Sequence, residues 1–137
     1  MKLKKSDFYI ITNGSDGKEK KAVKVSGYIF QKNGHWFSIR KHNPDEKHHK
    51  WIISDFVTGL VMTRTDNKLN DVPDTLSDNL IDKLIEFYKD DSTSIYMRES
   101  SREEFQRYAQ LINEAMLRDG KDKLIDLLQD SAYELFR

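Results

Sequence analysis

Three of the four histidines of this 137-residue chain lie in one stretch, HNPDEKHHKW at residues 42–51, beside Asp45 and Glu46. Imidazoles and carboxylates so close together could hold a divalent ion, and a metal site without cysteine needs three or four such ligands in fixed geometry. The spacing argues against it. His48 and His49 are adjacent, so on a strand they face opposite ways and cannot share an ion. His42 and His48 are too far apart for the two-histidine helical motif, and Pro44 opposes a helix. Asn43-Pro44-Asp45-Glu46 is turn chemistry between two strand-like runs. The stretch therefore reads as a polar hairpin loop, and a divalent site on His42, His48 and His49 is the alternative.

Other catalytic patterns fail on particular residues. Gly14-Ser15-Asp16-Gly17-Lys18 resembles a phosphate-binding loop but lacks the four-residue spacer, and Glu19 stands where a Ser or Thr must meet Mg²⁺. The acidic stretch 66–74 has Lys68 at a calcium-ligand position and no glycine at the sixth. No G-x-S-x-G elbow occurs. The absence of cysteine removes thiolate ligands, disulfides and a cysteine nucleophile. No cofactor is expected, and an enzyme is not favoured.

Basic and aromatic residues interleave instead. Lys24, Trp36, Arg40, Lys41, Lys47 and Lys50 fall within about thirty residues, where cations can neutralise phosphates and an indole can stack on an unpaired base. They are the candidate contacts for nucleic acid or another macromolecular partner. Solvated strands are also rich in lysine, which guards sheet edges. The charge is polarised along the chain. Residues 1–65 carry 13 Lys and Arg against 6 Asp and Glu, a net of +7, and residues 66–137 carry −7. Such asymmetry suggests an interaction surface, or two halves that neutralise each other. Opposite charges could also pair between protomers, so the oligomeric state stays open.

These residues need elements to hold them. Residues 6–12, 21–31, 35–41, 50–56 and 60–65 read as strands, and Asn33-Gly34 between two of them is a type I′ hairpin signal. That turn pairs Phe30 with Phe37 and Tyr28 with Ile39 on one face. It pairs Gln31 with Trp36, Ile29 with Ser38 and Gly27 with Arg40 on the other; a one-residue slip would reverse both. The first face should be core, and the second should be covered or should bind. Gly27 predicts a bulge or a close backbone approach. Residues 66–74 read as a polar linker. Helices follow at about 75–90, capped by Thr75 or Ser77, at 102–118, opened by the Ser101/Glu104 capping box, and at 121–136. The expected fold is one α+β domain over 1–137, with an antiparallel meander of four to five strands (about 6–65) and three helices on one face. No apolar run is long enough to span a membrane, and the start MKLKKSDFYII lacks a signal-peptide core, so no membrane contact and a cytoplasmic location are expected.

GHWFSIRK (34–41) and KWIISDFVTGLVMTR (50–64), in a small chain rich in Lys, Asp, Ile and Asn, resemble the small accessory proteins of Gram-positive phages and mobile elements. The resemblance covers roughly residues 20–65 and carries over no functional residue. Some proteins of that kind, anti-CRISPR proteins among them, inhibit host defence, so the resemblance implies a non-enzymatic binding protein. The reading that follows is a binder of nucleic acid or nucleoprotein through a basic aromatic sheet face. Its rivals are a protein-binding inhibitor or adaptor that uses the acidic helices, and a divalent-metal enzyme.

Overall fold

The computed structural model describes residues 2–13, 19–41, 50–89 and 102–119. The chain is an α+β fold whose strands run β1 (Lys4–Asn13), β2 (Lys20–Lys32), β3 (His35–Lys41), β4 (Trp51–Asp55) and β5 (Val61–Thr65). They form one antiparallel meander in the order β1-β2-β3-β4-β5. A 3₁₀ helix (Leu69–Thr75), α1 (Asp78–Lys89) and α2 (Arg102–Arg118) follow. The helix expected at 121–136 and the Ser101 cap lie outside the described residues.

The β2–β3 hairpin follows from its turn. Asn33 and Gly34 both take positive φ, 53° and 78°, as a type I′ turn requires. The register is the expected one, with Tyr28↔Ile39, Ile29↔Ser38, Phe30↔Phe37 and Gln31↔Trp36. Pairing stops one step short of a Gly27–Arg40 pair. At Gly27 an added Cβ would lie 2.1 Å from the Ile39 carbonyl oxygen and 2.9 Å from Phe8 Cε1. The glycine thus serves a close backbone approach, with the β1–β2 register unbroken across it. The first half of β2 pairs with β1 alone. The sheet coils until β1 meets the β4–β5 turn, where a Cβ on Gly59 would sit 3.2 Å from the Ile10 Cα.

Alternation gives β3 and β4 two distinct faces. The inner face carries Phe37, Ile39 and Ile53, all fully buried and clustered with Phe30, Val72, Leu76, Ile81, Leu84, Ile112 and Met116. Phe30 and Phe37 stack with centroids 5.5 Å apart. Ile81 and Leu84 of α1 and Ile112 and Met116 of α2 supply the other side of this core. Ser77 is the cap that opens α1, its Oγ accepting the Leu80 N–H at 3.2 Å, while the Thr75 hydroxyl donates to the Val72 carbonyl. The segment expected to be linker holds the 3₁₀ helix, which packs against β4 and β5 and buries Val72 and Pro73. Lys32 fastens it to the hairpin: its Nζ donates to the carbonyls of Pro73 (3.0 Å) and Leu76 (2.7 Å). No helix among the described residues is long and apolar enough to cross a membrane.

Candidate functional site

The outer face of the central strands carries Gln31, Trp36, Ser38, Arg40, Ile52, Ser54 and Arg64, as the pairing dictates. At its β1–β2–β3 end lies an open cleft of about 710 Å³. Ile29, Gln31 and Trp36 line it together with residues 2–5 at the start of the chain. The register explains the meeting: Lys4 pairs with Ile29, which brings the basic start of the chain beside the β2–β3 hairpin. Lys2, Lys4 and Lys5 are exposed, while Trp36 is half-buried and packs against the core. A cleft lined by a partly exposed indole and by lysines can take a flat ring together with its anionic attachment.

The candidates named from sequence are distributed as follows. Trp36 and Arg40 share the outer face of β3, four residues apart. Lys41 is turned the other way, its Nζ 5.9 Å from the ring centroid of Trp51, which also meets Tyr28 edge-on at 6.4 Å. Lys24 is exposed on the two-stranded arm beyond Gly27, opposite Tyr9. Lys50 is exposed, and its backbone N–H donates to Asp66 Oδ1 at 3.0 Å. Lys47, His42, His48 and His49 lie outside the described residues. Among the described residues, no three His, Asp or Glu side chains gather as a metal site.

Sequence reasoning missed three features. The first is the set of lysines lining the cleft, Lys2, Lys4 and Lys5, which in the sequence read only as a basic start of the chain. The second is Arg64, which the register sets on the outer face across Ile52 from Arg40. Burial, and then the positive charge of Arg64, push the Arg40 guanidinium below its ordinary pKa. The third is a buried polar pair. His35, the one histidine outside the loop, donates from Nε2 to Asp55 Oδ1 at 2.8 Å, and both side chains are fully buried. Asp55 also accepts the Val57 N–H (3.2 Å) and the Thr58 hydroxyl (2.7 Å), and its backbone closes the turn with Leu60 and Gly59. Enclosed among Phe37 and the β4–β5 turn, this pair has a structural role: it holds the turn that β1 packs against.

Searches of protein-family models, curated proteins and solved structures gave no match to this chain. The functional reading therefore rests on the geometry.

Proposed function

We propose that this chain is a non-enzymatic binding protein that takes single-stranded nucleic acid, free or within a nucleoprotein, in the cleft between Trp36 and its N-terminal lysines. The observation that carries the reading is the cleft itself, which Ile29 and Trp36 line together with lysines from the start of the chain. An unpaired base offers a π-face to the indole, and its phosphates offer charge to the lysines. A duplex keeps its bases stacked away from such a wall, which favours a single strand. A small binder of this kind fits the accessory role that the resemblance of residues 20–65 implies.

The test is fluorescence anisotropy of labelled single-stranded DNA and RNA, with tryptophan quenching read in parallel. Trp51 is 9% exposed and held by Tyr28 and Lys41, so quenching reports mainly on Trp36. Two lysine–phosphate contacts, from Lys2 and Lys4, give a log–log salt slope of roughly −1.4 on single strands. Trp36→Ala should weaken binding by about 1–3 kcal/mol, the usual worth of one base–aromatic stack. No saturable binding at low salt, or full binding by Trp36→Ala, would overturn the proposal.

A second reading has its own observation. Asp78, Asp82 and Glu86 are exposed at successive turns of α1 and make an acidic stripe. A protein-binding inhibitor or adaptor would present that stripe to a basic partner. It predicts no oligonucleotide binding, and partner binding that falls when Asp82 and Glu86 are neutralised.

A further inference from the structure

The outer face holds a second cationic feature that the cleft does not use. Arg40 and Arg64 each pair with Ile52, one on either side, so all three side chains stand on the same face. Two strand spacings set the arginine Cα atoms roughly 10 Å apart, within reach of one small anion by two extended guanidinium arms. Ile52 between them is 2% exposed, and the hydroxyl-bearing Ser38 and Ser54 beside it are buried. Arg40 is half-buried, and its Nε is shielded from solvent with no hydrogen-bond partner among the described residues; the same holds for Ser54 Oγ. Among the described residues neither arginine makes an ion pair. Asp66, the acidic residue nearest Arg64 in the chain, accepts the Lys50 N–H at Oδ1.

We infer that Arg40 and Arg64 form an oxyanion site, taking phosphate or a phosphate group between their guanidinium forks above Ile52. The chemistry is direct. Two like charges over an apolar floor repel each other, and a tetrahedral anion with several acceptor oxygens relieves both. Burial and Arg64 both lower the proton affinity of Arg40, and a bound anion opposes both effects. The bland alternative is a solvated pair whose aliphatic stems merely cover Ile52. The inference does not rest on the cleft, whose walls are other residues. The same chemistry would recognise a free phosphate species or a phosphodiester of a bound strand.

The experiment is calorimetric titration and thermal unfolding of the full chain with inorganic phosphate, against chloride at matched ionic strength. Wild type should bind saturably, with Tm raised by about 2–5 °C well above the dissociation constant. Arg64 is exposed, so Arg64→Gln should fold normally and bind phosphate at least tenfold more weakly. Arg40→Lys keeps the charge but not the fork, and should fall between the two. No saturable phosphate effect beyond that of chloride overturns the proposal, as does an Arg64→Gln response equal to wild type. A second arm separates the sources. If Arg64→Gln also weakens single-stranded oligonucleotide binding by a similar factor, the site reads a phosphodiester. If oligonucleotide binding is unchanged while phosphate binding falls, it holds a free phosphate species. Trp36→Ala should leave the phosphate titration intact, so loss of the cleft reading and loss of the oxyanion reading give different results.

Discussion

Adding one methyl group at Gly27 should be far more damaging than adding one at Gly34. The Gly27 Cβ would sit 2.1 Å from the Ile39 carbonyl oxygen and 2.9 Å from Phe8 Cε1. Even close C···O contacts lie at about 3.3–3.6 Å, so the oxygen must retreat by more than about 1 Å. It belongs to the backbone of β3, which pairs on both sides, through Tyr28↔Ile39 and Ile39↔Ile53. No rotamer change can relieve that clash. Overpacking costs about 1–3 kcal/mol where side chains can adjust. Loss of one or two ladder hydrogen bonds at ~1 kcal/mol each brings the expected cost of Gly27→Ala to about 3–5 kcal/mol. Gly34→Ala meets open space but keeps φ at 78°, so only the left-handed conformation is penalised, at about 1–2 kcal/mol. Urea unfolding followed by far-ultraviolet circular dichroism measures both. For a urea m-value near 2 kcal/mol/M the Gly27→Ala midpoint should fall by about 2 M, and that of Gly34→Ala by under ~1 M. A Gly27→Ala protein as stable as Gly34→Ala would refute the close approach of the Ile39 carbonyl to Gly27.

Other outcomes follow from the buried polar groups. Asp55→Ala strands the donors of His35, Val57 and Thr58 and should cost about 3–5 kcal/mol, whereas Asp55→Asn keeps an acceptor and costs less. In thermal unfolding the alanine variant should lose at least ~8 °C, and a loss no larger than that of the exposed Asp78→Ala would disprove the structural role of the pair. Lys32→Met removes two charge-assisted bonds to the end of the 3₁₀ helix and should cost about 1.5–3 kcal/mol by urea unfolding; no change would mean that helix holds itself. Tyr9, 2% exposed and donating to Asp119, has its pKa raised from 10.0 to about 12 by burial and then by that carboxylate. The unfolded chain therefore releases this proton first, so stability present below pH 10 is lost as pH rises from 10 toward 12. The loss is up to about 2–3 kcal/mol at 1.36 kcal/mol per pH unit. Tyr9→Phe should lack this alkaline slope, and equal slopes in the two proteins would refute it.

Local chemistry makes much of this fold legible in the sequence. Asn33-Gly34 dictated its turn, the turn dictated the register, and the register sorted Phe30 and Phe37 from Gln31 and Trp36. The helix read over 102–118 is α2, with Ala109, Ile112, Ala115 and Met116 buried. What stayed hidden depended on pairings whose turns carry no such signal. The lysines that share a cleft with Trp36 need the β1–β2 register, and the polar sequence between β1 and β2 does not specify one. The His35–Asp55 bond and the Arg40–Arg64 neighbourhood need the β3–β4 register across residues 42–49, and Arg64 also lies beside an irregularity at Ile53/Ser54. The 3₁₀ helix was masked by composition: Val72 and Pro73 in a polar run make no period, yet both are buried.

The coiling of the sheet also bears on how a ribosome delivers the chain. Each hairpin of the meander can zip as soon as its two strands emerge. β1 is the exception, because its final surroundings are made later: Gly59 lies against Ile10, and Asp119 accepts the Tyr9 hydroxyl across 110 residues. At about 5–20 residues per second, Asp119 is added roughly 6–22 s after Tyr9. For that interval the nascent β1–β2 arm holds Phe8, Tyr9 and Ile10 without their mature cover. Its lysines, Lys4, Lys5, Lys20, Lys21 and Lys24, keep this unfinished ribbon charged, a guard against edge-to-edge association during synthesis.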